Sequence, residues 1–270
     1  MHTQRYPYRR AHYNIQAKSC QIINEPIFRR GEEAVARAYS VIVYSCPELS
    51  RKEILVIHQP EDYLSAVFLD IETTGIDPAS SELTLIALYQ QDEEEQARLY
   101  VKDLHGAVET LRHLEAKAQE YGYHRITICP LQQFAEHAPF LTRVATYNGE
   151  QFDLPFIAYH LPQGRTVIRA WQHLDIYIHI AQPLRDLRVL RTPNLKLKTL
   201  LTHLQVPRHP SVTQMRGAEA VQLWNQWKHL YNSEALTTLG IYALEDVRCT
   251  RLLLERLIHL RRGSRVDDLG

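Results

Sequence analysis

The sequence predicts an α/β domain, a mixed β-sheet flanked by helices, with a β-rich extension at its N-terminus. Strand-length apolar runs follow one another between residues 66 and 101. A helical pattern and a further strand come next, and beyond residue 174 the pattern is mostly helical. Three strands, a helix, a strand and then helices are the order expected of a mixed sheet covered by helices.

Residues 1–60 are predicted to form a separate, partly β-structured extension. Two β-branched runs, 39–44 and 54–57, flank a proline-containing turn and predict a pair of strands. Residues 31–38 predict a short helix, and residues 1–18 predict an irregular segment. We expect any protein partner to bind through this extension.

Residues 61–262 are predicted to form the main domain, and residues 263–270 a flexible tail. The first strand, 66–72, leads into a turn rich in Asp, Pro and Ser. Strands 83–89 and 97–101 follow, separated by an acidic turn. These three strands predict an antiparallel meander.

The second half of the domain is predicted to be mainly helical. Residues 107–121 have helical periodicity and end before a glycine, as helices commonly do. A strand at 143–147 ends in Asn-Gly, and a helix is expected to begin near Asp153 because Pro155 is tolerated in a first turn. The remaining predicted helices are 174–182, 195–205, 214–230 and 234–261.

Composition excludes several functional classes. The chain has 270 residues, 45% of them hydrophobic, and no apolar stretch of about 18 residues, so we expect a globular protein without a membrane partner. Its N-terminus lacks a secretory signal, and its four cysteines form no Cys-x-x-Cys pair, which favours a reduced, cytoplasmic protein. With 31 basic and 31 acidic residues, overall charge does not predict tight nucleic-acid binding, although a local basic groove would permit it.

Two carboxylates follow the first predicted strand of the main domain. Asp70 and Glu72 are two residues apart, so they point to the same face of the strand. Neighbouring anions repel, and hard divalent cations such as Mg²⁺ prefer oxygen ligands. The pair is therefore a candidate metal site, and a solvated strand end is the alternative interpretation.

Further acids lie at strand and helix ends later in the chain. Asp153 follows the Asn148-Gly149 turn, where a helix N-cap is the simpler interpretation. Asp175 is interpreted as a helix N-cap, which would at most support the residues of a site without contacting metal or substrate itself.

Tyr242 and Asp246 are four residues apart in the last predicted helix and share one face. Tyrosine on such a face is more often a core residue, but burying an unpaired carboxylate is expensive, which makes Asp246 a candidate ligand. Glu245 is expected to be solvated.

Together these motifs, FLDIETTG at 68–75, YNGEQFD at 147–153 and YALED at 242–246, resemble those of the DEDD 3′–5′ exonucleases. That family has a ribonuclease-H-like fold. Tyr242 resembles the tyrosine of its DEDDy branch, whereas the DEDDh branch has histidine at the position of Ile241. The segments LKLKTL at 195–200 and QMRGAEAVQLW at 214–224 are similar to YprB-type ribonuclease-H-like proteins, although YprB-type members often carry His-Asn at the position of Tyr242.

The resemblance implies a site with two Mg²⁺ or Mn²⁺ ions held by Asp70, Glu72, Asp153 and Asp246. Asp70 would bridge both ions, Glu72 and Asp246 would lie on the side of the nucleophile, and Asp153 would act through water. Tyr242 would orient the attacking water. An ordinary phenol, with a pKa near 10, is a poor base at neutral pH, so orientation is the role we expect.

Substrate contacts are predicted less directly. The resemblance implies that Thr73 and Thr74 lie where the 3′-terminal nucleotide would bind, and that Asn148 and Phe152 flank the scissile end. A basic cluster near the motifs could contact backbone phosphates or form a solvated face; its members are Arg185, Arg188, Arg191, Lys196 and Lys198.

The expected function is a divalent-metal-dependent 3′–5′ exonuclease acting on single-stranded DNA or RNA. The alternatives are a structure-specific endonuclease on the same fold and a catalytically silent nucleic-acid-binding module. A calcium-binding module is disfavoured because the chain lacks a clustered Asp/Asn loop.

Overall fold

The computed structural model describes residues 21–23, 41–43, 60–91, 95–104 and 108–262. The chain divides into two compact units, Met1–Gln59 and Pro60–Gly270. In the first unit, strands β1 (Gln21–Ile23) and β2 (Val41–Val43) pair antiparallel. Strand β2 lies within the predicted strand 39–44; the other predictions for residues 1–60 fall outside the described residues.

The second unit contains a six-stranded mixed sheet, which confirms the predicted fold class. Its spatial order is β6–β5–β4–β3–β7–β8. The β3–β4 and β4–β5 pairs are antiparallel, and the other three are parallel. The strands are β3 (Val67–Thr73), β4 (Leu83–Gln91), β5 (Glu95–Val101), β6 (Ile126–Pro130), β7 (Arg143–Thr146) and β8 (Gln172–Asp175).

Helices cover both faces of this sheet. They are α1 (Val108–Glu120), α2 (Phe134–His137), α3 (Asp153–His160), α4 (Gly164–Ala170), α5 (Gln182–Asp186), α6 (Leu197–His203), α7 (Gly217–Leu230) and α8 (Ser233–Arg261). One-turn 3₁₀ segments occur at Pro60–Tyr63, Leu131–Gln133, Ala138–Phe140 and Pro210–Val212, and a π-helical turn at Tyr177–Ala181 leads into α5.

The long helix α8 forms the centre of the larger core. Its start is capped by Asn232, whose side chain accepts hydrogen bonds from the backbone N–H groups of Glu234 and Ala235. Gly240 lets the helix approach its neighbours closely, because a Cβ there would lie 3.0 Å from Leu114. Since α8 packs on β3 and β4, it faces the same side of the sheet as Phe68 and the acids that follow it.

Two strands of the six-stranded sheet were not predicted from the sequence, and neither was β1 in the first unit. Strand β6 has only five residues and lies at the edge of the sheet, where its Ile126 and Ile128 are partly buried. Strand β8 has the polar sequence Gln-His-Leu-Asp, and the helix predicted at 174–182 is wrong for its first two residues. Parallel pairing of β8 with β7 overrides the local pattern there. No helix in the described part of the chain is long and apolar enough to cross a bilayer.

Candidate active site

Strand β3 places two carboxylates on the α8 side of the sheet. Asp70 and Glu72 alternate with Leu69 and Ile71, which enter the apolar cluster on the opposite face. The β3–β4 register shifts after Glu72, and the hydroxyl of Thr84 donates a 2.9 Å hydrogen bond to the Glu72 carbonyl oxygen. Glu72 is only 8% exposed, so the solvated strand end is the wrong interpretation for it.

Helix α8 brings a third carboxylate to the same point. Carboxylate oxygens of Asp70, Glu72 and Asp246 lie within 4.8 Å of one another. The hydroxyl of Tyr242, one turn earlier, interacts with the Asp246 carboxylate and opposes the rise in the Asp246 pKa that burial causes. The structure thus joins residues 176 positions apart in the chain into one acidic cluster, which we call the acidic centre together with Asp153.

Asp153 reaches the acidic centre through the turn that follows β7. Asn148 takes a left-handed backbone conformation, with φ of 65°. A Cβ at Gly149 would lie 2.2 Å from the Thr146 hydroxyl oxygen, so the turn needs glycine there. Phe152 occupies the N-cap position, and Asp153 is the first residue of α3 instead of the cap.

The Asp153 carboxylate is directed at β3. It interacts with the backbone N–H of Ile71, between Asp70 and Glu72, which opposes the rise in the Asp153 pKa that burial causes. Asp153 is 2% exposed, and its Oδ1 atom has no hydrogen-bond partner among the described residues. A buried, unpartnered carboxylate oxygen is costly, and a bound cation would satisfy it.

Asp175, at the end of β8, stabilises the turn at Asn148 and Gly149 through hydrogen bonds. Its carboxylate accepts 3.0 Å hydrogen bonds from the backbone N–H groups of Asn148 and Glu150. It also accepts from the N–H groups of Tyr177 and Ile178, which is the capping role predicted for it. Asp175 therefore connects β8 to the turn that presents Asp153.

Burial and mutual repulsion make the acidic centre an unfavourable place for uncompensated charge. Burial raises the pKa of Asp70 well above its usual value, and the charges of Asp153 and Asp246 raise it further. The pKa of Glu72 is raised for the same reasons, chiefly burial and then Asp246. Burial also raises the pKa of Asp153 to about 7.

These raised pKa values predict how the metal-free protein responds to pH. Between the unfolded pKa of aspartate, about 3.9, and the raised folded values, the folded state binds more protons than the unfolded state. Stability contributed by the protonated acids is therefore lost as pH rises toward about 7. In EDTA, we expect the Tm to fall between pH 4.5 and 7.5; a loss of about 2 kcal/mol corresponds to about 4–8 °C.

The matched control for this pH effect is Asp153→Asn, which removes one of the repelling charges. Its Tm in EDTA should depend less steeply on pH than that of the wild type. The Tm is measured by differential scanning calorimetry. A wild-type Tm that stays constant or rises across this pH range would contradict the conclusion that the ionised acids destabilise the metal-free fold.

Two cations flank the Tyr242 ring. Lys198 Nζ lies 5.3 Å from the ring centroid, and Arg208 Cζ lies 5.2 Å from it. Arg208 Nη2 is 2.5 Å from Asp246 Oδ1. Sequence analysis did not identify Arg208, because its loop carries no motif and lies 38 residues before Asp246.

The other predicted substrate residues are neighbours of the acids in the sequence: Thr73 and Thr74 follow Glu72, and Asn148 and Phe152 precede Asp153. The hydroxyl of Thr73 donates to the Gly75 carbonyl at 2.6 Å, and the hydroxyl of Thr74 accepts from the Glu82 N–H at 2.8 Å. Both threonines thus shape the loop after β3. Asn148 is partly buried, and the ring of Phe152 lies 5.1 Å from that of Phe156. Their contact with substrate stays a prediction.

The members of the predicted basic cluster differ in burial. Lys198 is partly buried and lies at the acidic centre, whereas the other members are exposed: Arg185, Arg188, Arg191 and Lys196. Exposure of these four side chains is compatible with a solvated face and with phosphate contact, so the choice between the two stays a prediction.

The prediction that Glu245 is solvated is wrong. Glu245 is 1% exposed and accepts hydrogen bonds from the Tyr123 hydroxyl, the His209 backbone N–H and the Arg248 guanidinium. Arg248 and these hydrogen bonds outweigh burial and lower its pKa. Glu245 thus fastens the loop that carries Arg208 to α8.

The acidic centre has the donor set of a hard divalent cation. Its ligands are carboxylate oxygens, with neither thiolate nor imidazole among them, and Mg²⁺ and Mn²⁺ prefer oxygen. Closely spaced oxygens, raised pKa values and the unpartnered Oδ1 of Asp153 all fit such a cation.

Comparisons with solved structures show only distant likenesses. The family B DNA polymerase from the hyperthermophilic archaeon Pyrobaculum calidifontis is 17% identical with a TM-score of 0.44, over 76% of this chain and 26% of that one. An apo nuclease is 16% identical with a TM-score of 0.42, over 76% and 77% of the two chains. The metal-free E. coli ExoI–ssDNA complex is 15% identical with a TM-score of 0.39, over 75% and 41%.

At these values the structural likenesses carry no argument about activity, and this chain spans about a quarter of the polymerase. No curated protein gives a significant match. A family model of the RNase H superfamily, however, matches residues 67–258, which include β3, the Asp153 turn and the Asp246 helix. This match covers well over half of the sequence, and the chain therefore belongs to the RNase H superfamily.

Proposed function

We propose that this protein is a divalent-metal-dependent 3′–5′ exonuclease that removes nucleotides from single-stranded DNA or RNA. The observation that carries the proposal is the meeting of Asp70, Glu72 and Asp246 within 4.8 Å, with the Asp153 carboxylate beside the backbone N–H of Ile71 on the same strand. Membership of a superfamily of nucleases supports it, as does the resemblance of the motifs to the DEDDy exonucleases.

In this proposal the four carboxylates of the acidic centre hold two Mg²⁺ or Mn²⁺ ions. Bound ions of this kind lower the pKa of water and neutralise charge on the phosphate. The overall reaction joins the oxygen of water to phosphorus and breaks the bond from phosphorus to the 3′ oxygen of the preceding nucleotide. That 3′ oxygen gains a proton, and a nucleoside 5′-monophosphate leaves.

Tyr242 acts in this proposal as an orienting group and keeps its proton. Burial, followed by the charges of Asp246 and Glu72, raises its pKa far above that of a free phenol. Its hydroxyl interacts with Asp246, and the oxygen lone pairs can accept a hydrogen bond from the attacking water.

The substrate's terminal nucleotide would lie beside the acidic centre. We propose contacts from Thr73, Thr74, Asn148 and Phe152, and a phosphate contact from Lys198. The Nζ atom of Lys198 is buried without a hydrogen-bond partner in the described part of the chain. An open groove of about 460 Å³ starts at Lys198 and is lined further by Pro193, Thr199, Thr202 and His203.

Polarity of digestion tests the proposal. With Mg²⁺ or Mn²⁺, a 5′-labelled single-stranded oligonucleotide should shorten progressively, and a blocked 3′ hydroxyl should slow its loss. Matched DNA and RNA oligonucleotides, resolved by length, identify the preferred sugar. EDTA should abolish cleavage of both.

Circular single strands provide the decisive control. An exonuclease leaves them intact because they offer no end. Cleavage of circles as fast as linear strands would identify a structure-specific endonuclease, and binding without cleavage in either metal would identify a silent nucleic-acid-binding module.

A further inference from the structure

Arg208 is a buried cation whose hydrogen-bonding capacity is unused. Its side chain is only 6% exposed. The Nε, Nη1 and Nη2 atoms all lack hydrogen-bond partners among the residues that the structure describes. A guanidinium has five N–H donors, and leaving them buried without acceptors is costly.

The contact between Arg208 and Asp246 does not satisfy that capacity. Nη2 lies 2.5 Å from Asp246 Oδ1, but neither atom has a partner in hydrogen-bond geometry within the described residues. The pair is thus held by charge attraction and not by a well-aligned fork, the geometry in which arginine binds carboxylates most strongly. Two of the three nitrogens, Nε and Nη1, remain available for another anion.

Two neighbouring features hold the guanidinium in position. Its Cζ atom lies 5.2 Å from the Tyr242 ring centroid, within the range of a cation–π contact. The next residue, His209, donates its backbone N–H to buried Glu245 at 2.8 Å. Arg208 is therefore presented at the acidic centre by a fixed loop.

The net charge of the acidic centre indicates which kind of ligand Arg208 would bind. Four carboxylates and two divalent ions together carry no net charge, so Arg208 and Lys198 would leave an excess of two positive charges. The anion that matches this excess is a phosphate, most closely the dianionic group of a nucleoside 5′-monophosphate. Arginine is well suited to it because its planar fork matches phosphate oxygens.

We propose that Arg208 binds the phosphate of the terminal nucleotide, and of the released nucleoside 5′-monophosphate, at the acidic centre. The inference rests on the proposed nuclease function for the identity of the ligand. In the absence of an anion, Arg208 contacts Asp246 through Nη2. With a phosphate present, Nε and Nη1 donate hydrogen bonds to the phosphate oxygens.

Binding of product tests this without catalysis. The dissociation constants of thymidine and adenosine 5′-monophosphates are measured by calorimetry with Mn²⁺ for wild type, Arg208→Met and Arg208→Lys. Arg208→Met should weaken monophosphate binding about 10- to 100-fold, the range for hydrogen bonds to a charged group. Arg208→Lys should lie between the two, and the parent nucleosides should not distinguish the variants.

A structural counterion would behave differently. If Arg208 only neutralised Asp246, Arg208→Met would tighten Mn²⁺ binding, measured by electron paramagnetic resonance, and leave monophosphate affinity unchanged. That result overturns the inference, as does a wild type that binds no monophosphate with Mn²⁺. The matched control is Arg251→Met, which removes a partly buried arginine of α8 paired with Glu255 and should change neither affinity.

The two proposals fail separately. Monophosphate binding that depends on Arg208, without digestion of any oligonucleotide, would overturn the nuclease function and keep this inference. Digestion from the 3′ end with monophosphate affinity unchanged in Arg208→Met would do the reverse. Melting curves for each variant verify folding, and Arg208→Lys retains the charge should Arg208→Met fail to fold.

Discussion

Asp70→Asn is expected to lower cleavage about 10³-fold or more and to remove the stabilisation that Mn²⁺ gives the wild type. In the proposed site Asp70 is the ligand shared by both ions, and its carboxylate is close enough to Glu72, Asp153 and Asp246 for their charges to raise its pKa. A metal ion contributes several kcal/mol to the transition state, and each 1.36 kcal/mol is a factor of ten. Single-turnover rates and Tm values with increasing Mn²⁺ measure both effects.

The same variant should be more stable than the wild type in EDTA at neutral pH. Burial and the three neighbouring acids raise the pKa of Asp70, which means that its ionised form destabilises the metal-free fold. Asparagine has similar size and no charge. The control Asp186→Asn changes an exposed acid at the end of α5 and should alter neither rate nor stability. An Asp70→Asn protein that retains wild-type activity would rule out the acidic centre as the active site.

Tyr242→Phe is expected to lower the single-turnover rate about 10²- to 10⁴-fold while metal affinity hardly changes. The substitution keeps the ring, which packs against Lys198 and Arg208, and deletes only the hydroxyl. The free energy of unfolding should fall by about 1 kcal/mol, because the interaction of the hydroxyl with Asp246 is lost. Rates are measured across a Mn²⁺ titration, so that a loss of turnover is separated from a loss of metal.

Tyr123→Phe is a close control for this experiment. The Tyr123 hydroxyl is also buried and donates to a carboxylate of α8, Glu245, at 2.7 Å. Its loss should lower stability and leave the rate near that of the wild type. Equal rates in Tyr242→Phe and wild type would make Tyr242 a core residue and would contradict the DEDDy interpretation.

The sequence predicts those parts of the acidic centre whose residues are close together in the chain. Alternation in a strand placed Asp70 and Glu72 on one face, and helical periodicity placed Tyr242 beside Asp246. The Asn148-Gly149 turn was likewise evident, because few residues tolerate its backbone. Each of these predictions depends on residues no more than four positions apart, where backbone geometry alone decides which side chains are neighbours.

Packing between distant segments decided the rest. Nothing local indicates that Arg208 reaches Asp246, or that Glu245 is buried against Tyr123 and the loop carrying His209. Strand β8 and the bonds from Asp175 to the Asn148 turn likewise depend on pairing with β7. The sequence by itself determined the fold class and the acids that converge. Only the tertiary structure determined that Arg208 and Lys198 lie beside these acids. Such contacts depend on packing between segments far apart in the chain, which no local sequence pattern predicts.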